Sequence, residues 1–545
     1  MTRDLGDDLV GFINLDDVAY TTRFSRLLVR TGPDGLEVVR AAYERRLADS
    51  RVLGGLALVS PDGRRAEVAR VSPWRIEFDN GATLVVTPED EVHIEHVPTG
   101  WSVRADLGLP AEESRHVPAS RVATLGGGAH VAFACAGPFA DLPGSAAERV
   151  AHDLAEWMGD CPTVTDRWQT MTRRCWWVLG VNTLHLATPT GPRDAVVPSK
   201  AGYVGLWQWD AYFMSIGLRH GDPALALEQL RVAAEHVTVD GLLPDVVHEQ
   251  GILASSDDLP PGDLETLRAM ASPSLAHARV PLTKPPLLAL AVAKLAEVLG
   301  PGVVDEFLPV MLANQSWWYE RSTLSGRPVY LHPYSSGLDD SPIFDHDAII
   351  SSPDLDAYLV LSDGLLAQWL AERGRDDEAA LCRGRAAHTA SDLAAGFDAR
   401  LGYHPSHGET GEPIATQTVV SLMPVLAQGL PGDQVAAVVA AIDDPAKFGA
   451  PHRLPTVSQD DPAFAPTRMW RGPVWVNTTW LVAQGLRSQG HGKLAERLEV
   501  GLLELVDAQG PREYFRPDID EDAHTAVPCF GWTSALAIDI AVGLR

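Results

Sequence analysis

The chain has 545 residues, 46% of them hydrophobic and 21% charged, enough for two or more domains with ordinary globular cores. Its 44 Lys and Arg stand against 72 Asp and Glu, and a net charge of −28 excludes nucleic acid and anionic lipid as natural partners. The five cysteines are scattered and lack C-x-x-C spacing, which excludes a disulfide framework and a zinc site.

No basic start followed by an apolar stretch reads as a signal peptide, and no run reaches the roughly 18 apolar residues of a membrane span. The expectation is therefore a cytoplasmic protein with no membrane partner. Only five residues are Lys in a chain rich in Ala and Arg, a bias of GC-rich bacterial genomes.

Residues 1–145 read as β. "RRAEVARVSPWRIEFDNGATLVVTPEDEVHIEHV" alternates apolar and polar residues, with Asp79-Asn80-Gly81 as a hairpin turn, and "AHVAFACAG" at 129–137 supplies one more strand. Short strands with regular turns predict a sandwich-like N-terminal domain.

From 146 to 545 helical periodicity takes over. It begins near "GSAAERVAHDLAEWMGD" and recurs at 224–237, 285–299, 356–374, 434–442, 477–490, 494–506 and 533–544. Helix-loop units of about 33 residues would place about twelve helices here, the number that closes an (α/α)6 barrel. A solenoid of helix pairs reads much the same, but no repeat of fixed period supports it. The fold class expected is mainly α, an (α/α)6 barrel behind an N-terminal β-sandwich-like domain. A stretch rich in Gly, Pro and Ser at 248–280 reads as a lid-like insertion.

Four stretches concentrate chemistry on loops. In "GYVGLWQWDAYF", Tyr203, Trp207 and Asp210 are spaced four and three apart, which on a helix is one face; an aromatic core stripe with a capping Asp is the alternative. In "LHPYSSGLDDSPIFDHD", Asp339 and Asp340 sit at a loop tip, where mutual repulsion would let one carboxyl keep its proton and serve as a general acid. A solvated turn is the alternative there. Asp345, His346 and Asp347 lack metal-ligand spacing.

In "TRMWRGPVWVNTTW", Arg471 between Trp470 and Trp475 can orient a carboxylate or hold its loop. In "PREYFRPDIDEDAHTAVPCFGWTSALAIDI", Glu513 beside Tyr514 and Phe515 can activate a water. Fifteen tryptophans, many beside Gly, Pro, Asp or Arg, suit walls on which sugar rings stack. Two loop carboxylates among aromatic walls point to the acid and base of a glycosidase.

Taken in order, "Y-x-x-x-W-x-W-D" (203–210), "HP…SGLDDSP" (332–342), "WRGPVW" (470–475) and "EYF…FGWTSAL" (513–536) resemble glycoside hydrolase family 63 and its mannosylglycerate and glucosylglycerate hydrolases. Trehalases are more distant cousins. The resemblance covers about residues 165–545 and implies an (α/α)6 barrel that hydrolyses α-glycosidic bonds with inversion. It implies no metal and no organic cofactor.

Carried over by position, the resemblance makes Asp339 the general acid and Glu513 the general base. It places Tyr203, Trp207, Asp210, Lys284, Gly337, Asp340 and Arg471 at the substrate, with Trp470 and Trp475 as pocket walls rather than core. The chain departs from the family in three places. Tyr334-Ser335-Ser336-Gly337 replaces W-E-S/T-G, Asp340 replaces an Asn, and Lys284 replaces a Gln. A lost carboxylate and a gained cation suggest a different leaving group or sugar, an anionic one included.

The function expected is an inverting α-glycosidase acting on a small soluble α-glucoside or α-mannoside, with that carbohydrate as its partner. A homo-oligomer is compatible with this composition. The rivals are a disaccharide phosphorylase, a sugar epimerase for which His332 and His346 are poorly placed, and a catalytically inactive sugar-binding protein.

Overall fold

The computed structural model describes residues 8–106, 121–125, 130–135, 139–140, 144–188, 190–519 and 526–545. They gather into two compact units, Met1–Ala187 with Asp194–Gly205, and Thr188–Arg193 with Leu206–Arg545.

The first unit holds two open antiparallel sheets. One orders Leu27–Gly32, Gly35–Arg40, Arg51–Val59 and Ser102–Asp106. The other orders Val68–Ser72, Arg75–Phe78, Thr83–Val86, Glu91–Glu95, His130–Ala134 and Arg121–Leu125. The Asp79-Asn80-Gly81 turn joins two of these strands, with Gly81 at φ +87° donating its N–H to Phe78 O at 3.0 Å. Of the strand expected at 129–137, residues 129, 136 and 137 lie outside the described residues, and the strand itself runs His130–Ala134.

Strand Glu91–Glu95 is buried throughout although it carries two Glu and a His, and each finds a partner. Glu91 Oε2 pairs with His93 Nε2 at 2.7 Å, while Glu95 accepts from Ser145 Oγ and Ala146 N, both at 2.8 Å. The second pair anchors the N-terminus of helix Ala146–Gly159, where a negative charge is favoured. That helix and Asp166–Val181 group with the sheets in the first unit. Trp157 and Trp176 stack between them at 4.3 Å, each indole donating to the other's carbonyl. Gly180 makes room, since a Cβ there would meet Trp157 Nε1 at 2.3 Å.

The second unit is mainly helical. Helix Gln208–Leu218 packs on Leu288–Leu299, which packs on Pro353–Glu372, and that on the 3-10 helix Val419–Leu426. Val419–Leu426 packs on Val476–Ser488, that on Gly531–Gly543, and that again on Gln208–Leu218. Gln208–Leu218 and Val419–Leu426 are buried along their whole length, because a helix apolar on all sides has no face to offer water. Gly217 lets the first and last of these helices touch, its missing Cβ lying 2.2 Å from Ala535 O.

Behind them lie Pro223–Ala234, Gly302–Glu320, Asp376–Ala395, Gly432–Asp443 and Gly492–Gln509. The last shows the usual stripe, burying Leu494, Leu498, Leu502 and Leu505 and exposing Glu496, Arg497 and Glu504, while the buried Glu499 pairs with Arg487. Among the described residues no helix is long and apolar enough to cross a membrane.

The expected insertion at 248–280 has structure of its own. It contains strand Gly251–Leu253, paired with Val246–His248, and helix Pro261–Ala269. Ser256 and Val280 close its base through two bonds of 2.9 Å.

Candidate active site

The chemistry-bearing residues of the second unit lie on connections that enter the N-terminal ends of the inner helices. Trp207 is the residue before helix Gln208–Leu218, and Asp210 is in its first turn, where the helix dipole favours a carboxyl group. Lys284 precedes Leu288–Leu299, Asp339 and Asp340 precede Pro353–Glu372, Trp470 and Trp475 precede Val476–Ser488, and Glu513 precedes Gly531–Gly543.

The helical face expected for Tyr203, Trp207 and Asp210 does not form. Tyr203 bridges to Ser199 in the first unit, Trp207 pairs with Val246 as a strand, and only Asp210 is helical. The two glycines and the strand pairing with Val246 favour an extended entry over an earlier helix start. Trp207 stays half-buried, whereas Asp210 is buried.

Lys284 gathers the site. Its side chain is 5% exposed; Nζ donates to Tyr334 O at 2.6 Å and lies 3.1 Å from Asp245 Oδ1 and 3.9 Å from Asp339 Oδ1. Its backbone N–H donates to Gln208 Oε1 at 2.9 Å, which ties the Lys284 connection to the first inner helix. Gln208 N in turn donates to Asp245 O at 2.9 Å.

Burial alone would lower the lysine's pKa, but the carboxylates of Asp245 and Asp339 outweigh it and raise it. With Asp245 and Asp339 beside it, the charge of this ammonium is already countered before any substrate anion arrives.

Asp339 behaves differently from its neighbour. Its Oδ1 is buried with no hydrogen-bond partner, yet the side chain is 36% exposed, so the rest of the carboxyl faces open space. Burial raises its pKa to about 6, with the Lys284 charge opposing and the Asp340 charge assisting. Asp245 is raised to about 7, again by burial against Lys284 and with Asp339 adding to the rise. Asp210 is held well above the usual range by burial, against Lys284 and with the charges of Asp245 and Glu513.

That last influence places Glu513 within electrostatic reach of the same cluster. Glu513 is 4% exposed, and its Oε2 accepts from Val527 N at 3.4 Å. Residues 520–525 of its stretch lie outside the described residues.

Asp340 turns to the other loop. Its carboxylate accepts from Arg468 Nε at 3.0 Å and Trp470 N at 2.9 Å, and Arg471 Nε stands 3.8 Å away. Arg471 grips Asp345 with two nitrogens. Asp340 and Arg471 therefore fasten the 467–480 loop to the acid loop, and Asp345 belongs to that clasp. Among the described residues no group of three His, Cys, Asp or Glu could hold a metal ion.

Gly337, expected at the substrate, serves the backbone: it ends the short helix Pro333–Ser336 at φ +72°, and a Cβ would lie 2.3 Å from Trp209 Cζ2.

Trp470 and Trp475 require a correction. They are 2% and 1% exposed and stack on each other at 3.6 Å, 11° from parallel. Trp209 and Trp532 close around them, and Trp475 Nε1 donates to Met469 O at 2.9 Å. Stacked on each other, flanked by these rings and almost wholly buried, they form a core layer and not open walls.

Two carboxyl groups escaped the sequence reading. Asp245 follows "GLLP" and immediately precedes the strand Val246–His248, and a buried charge flanked by apolar residues should have demanded a partner. Asp263 comes from the insertion: its Oδ1 accepts from Tyr334 OH at 3.4 Å, and burial and the Asp339 charge raise its pKa to about 6. Nothing in "PPGDLETL" sets it apart from a helix-start acid.

The family model for the mannosylglycerate hydrolase MGH1-like glycoside hydrolase domain matches residues 203–533, more than half the chain. A mannosylglycerate hydrolase of Thermus thermophilus is 28% identical over 411 residues, covering 63% of this chain and 95% of that protein. A glucosylglycerate hydrolase of Mycolicibacterium hassiacum is 24% identical over 416 residues, covering 62% and 92%. The crystal structure of the Thermus thermophilus family 63 mannosylglycerate hydrolase with Tris and D-glycerate superposes with a TM-score of 0.56. It is 25% identical and covers 68% of this chain and 99% of that one.

Proposed function

Because the chain belongs to the mannosylglycerate hydrolase MGH1-like glycoside hydrolases, we propose that it is an inverting α-glycosidase of a small soluble α-glucoside or α-mannoside. In this reading the cyclic order of inner helices is an (α/α)6 barrel. The β-rich residues 1–145 are a separate N-terminal domain, and the 248–280 insertion covers one edge of the site. The protein works in the cytoplasm.

The observation that carries the reading is the Asp339 carboxyl: one oxygen buried 3.9 Å from Lys284 Nζ, the side chain as a whole 36% exposed, and its pKa lifted to about 6 by burial. A group of that kind holds a proton near neutral pH and can hand it to a leaving oxygen at its open face. As the glycosidic bond breaks, Asp339 protonates the departing oxygen, while Glu513 takes a proton from the water that attacks from the opposite side. Inversion places the two carboxyl groups about 6.5–9.5 Å apart to leave room for that water. Asp210, held protonated by burial and by the charges of Asp245 and Glu513, can donate a hydrogen bond to a sugar hydroxyl.

The test is proton NMR of the anomeric signals during the first turnovers of α-glucosides and α-mannosides, with and without phosphate. Early β-anomer supports the reading. Early α-anomer, a sugar phosphate, or binding without turnover overturns it in favour of a retaining enzyme, a phosphorylase or a sugar-binding protein respectively.

A further inference from the structure

Glycerate glycosides, for which the relatives are named, release an anion. The leaving group of the proposed reaction lies beside the open face of Asp339, so the charges around that face decide which aglycones enter. Among the described residues, Lys284, Arg468 and Arg471 each reach the acid loop with a carboxylate already beside them. Lys284 donates to Tyr334 O, and its charge is countered by Asp245 Oδ1 at 3.1 Å and Asp339 Oδ1 at 3.9 Å. Arg468 is bound to Asp340, and Arg471 to Asp345. His277, on the insertion, lies 3.4 Å from Glu409.

Against these stands Asp263, which the same insertion brings to Tyr334 OH and into the field of Asp339. With Asp339 protonated for catalysis, the single positive charge on Lys284 is shared between Asp245, 3.1 Å away, and Asp263, and none of it is left uncompensated for an anionic leaving group.

We propose that Asp263, beside a lysine already neutralised by Asp245, makes the leaving-group subsite select neutral polyhydroxy aglycones, a polyol or a second sugar, and reject glycerate-type anions. Carboxylates are strong acceptors for sugar hydroxyls, so the same groups that repel an anion hold a neutral polyol. Asp263 thereby stands where a carboxylate beside the acid was expected and Ser335 was found, supplied by the insertion instead of the acid loop. The inference rests on the hydrolase reading above and deepens it.

The experiment compares kcat/KM at pH 7 for matched pairs that differ only in one carboxylate: α-glucosylglycerol with α-glucosylglycerate, and α-mannosylglycerol with α-mannosylglycerate, with trehalose as a neutral disaccharide. The neutral member of a pair, or trehalose, is expected to exceed the glycerate glycosides by about tenfold or more. Asp263→Asn should narrow that gap by about threefold or more.

Equal or faster turnover of the glycerate compounds overturns this inference and leaves the hydrolase reading intact. No turnover of any compound removes both. A neutral preference untouched by Asp263→Asn overturns the role of Asp263.

Discussion

The acid loop around Asp339 and the tryptophan loop at 467–480 lie side by side, clasped through Asp340, and are built on opposite principles. The tryptophan loop is held by packing and paired charge: two of its rings stack on each other, its indole donates to a carbonyl, and its arginines face carboxylates. The acid loop instead concentrates like charge: it keeps a buried carboxyl oxygen without a hydrogen bond and crowds Asp245 and Asp339 around one ammonium. Unsatisfied polar groups in a folded protein cost stability, and a site that keeps them holds protons ready at unusual pH. The packed loop gives the frame against which the strained one is held.

Substitutions should separate the two. The largest effect is expected for Asp339→Asn, which removes the proton donor and should lower kcat by about 10²–10⁴-fold. Thermal unfolding should show it at least as stable as the parent, because a poorly satisfied carboxyl is replaced by a neutral amide. Trp470→Ala should do the reverse. It empties a stacked position and should cost about 3–5 kcal/mol in denaturant unfolding, with activity lost only as the loop loosens.

Lys284→Gln leaves Asp245 without its cation and should cost about 3 kcal/mol at pH 7. The cost should shrink as pH falls through about 7, where Asp245 takes up a proton.

The smallest effects are shifts in the pH profile. Activity needs Asp339 protonated, so kcat/KM should fall as pH rises through an apparent value between about 6 and 7 that belongs to the Asp339–Asp245 pair. Lys284 holds the Asp339 pKa down, so its removal should move this limb to higher pH. Asp340 pushes it up, so Asp340→Asn should move the limb to lower pH. Limbs that moved in the same direction would break the electrostatic account of the acid loop.

Much of the fold was legible because its signals are local. The helices at 285–299, 477–490 and 533–544 appear within three residues of their expected limits, and the hairpin at Asp79-Asn80-Gly81 is where its turn chemistry puts it. Of the residues the sequence singled out, Asp339 stands 3.9 Å from Lys284, and Asp210 lies within reach of the Lys284 charge.

The roles of its neighbours were not legible, because they depend on contacts over long sequence separations. Nothing near Asp340 announces Arg468, and nothing near Trp470 announces Trp209 and Trp532, whose rings turn a presumed wall into core. Lys284 looked like a free cation because Asp245 lies 39 positions away, just before a strand that pairs with the residue before the first inner helix.

The measurement that tests the central claim most directly is the activity of Asp339→Asn on two substrates of the preferred sugar: its O-glycoside, and its α-glycosyl fluoride, whose leaving group needs little protonation. If Asp339 is the general acid, the variant falls by about 10²–10⁴-fold on the glycoside and stays within about tenfold of the parent on the fluoride, while Glu513→Gln loses activity on both. Equal losses on both substrates for Asp339→Asn would contradict the account.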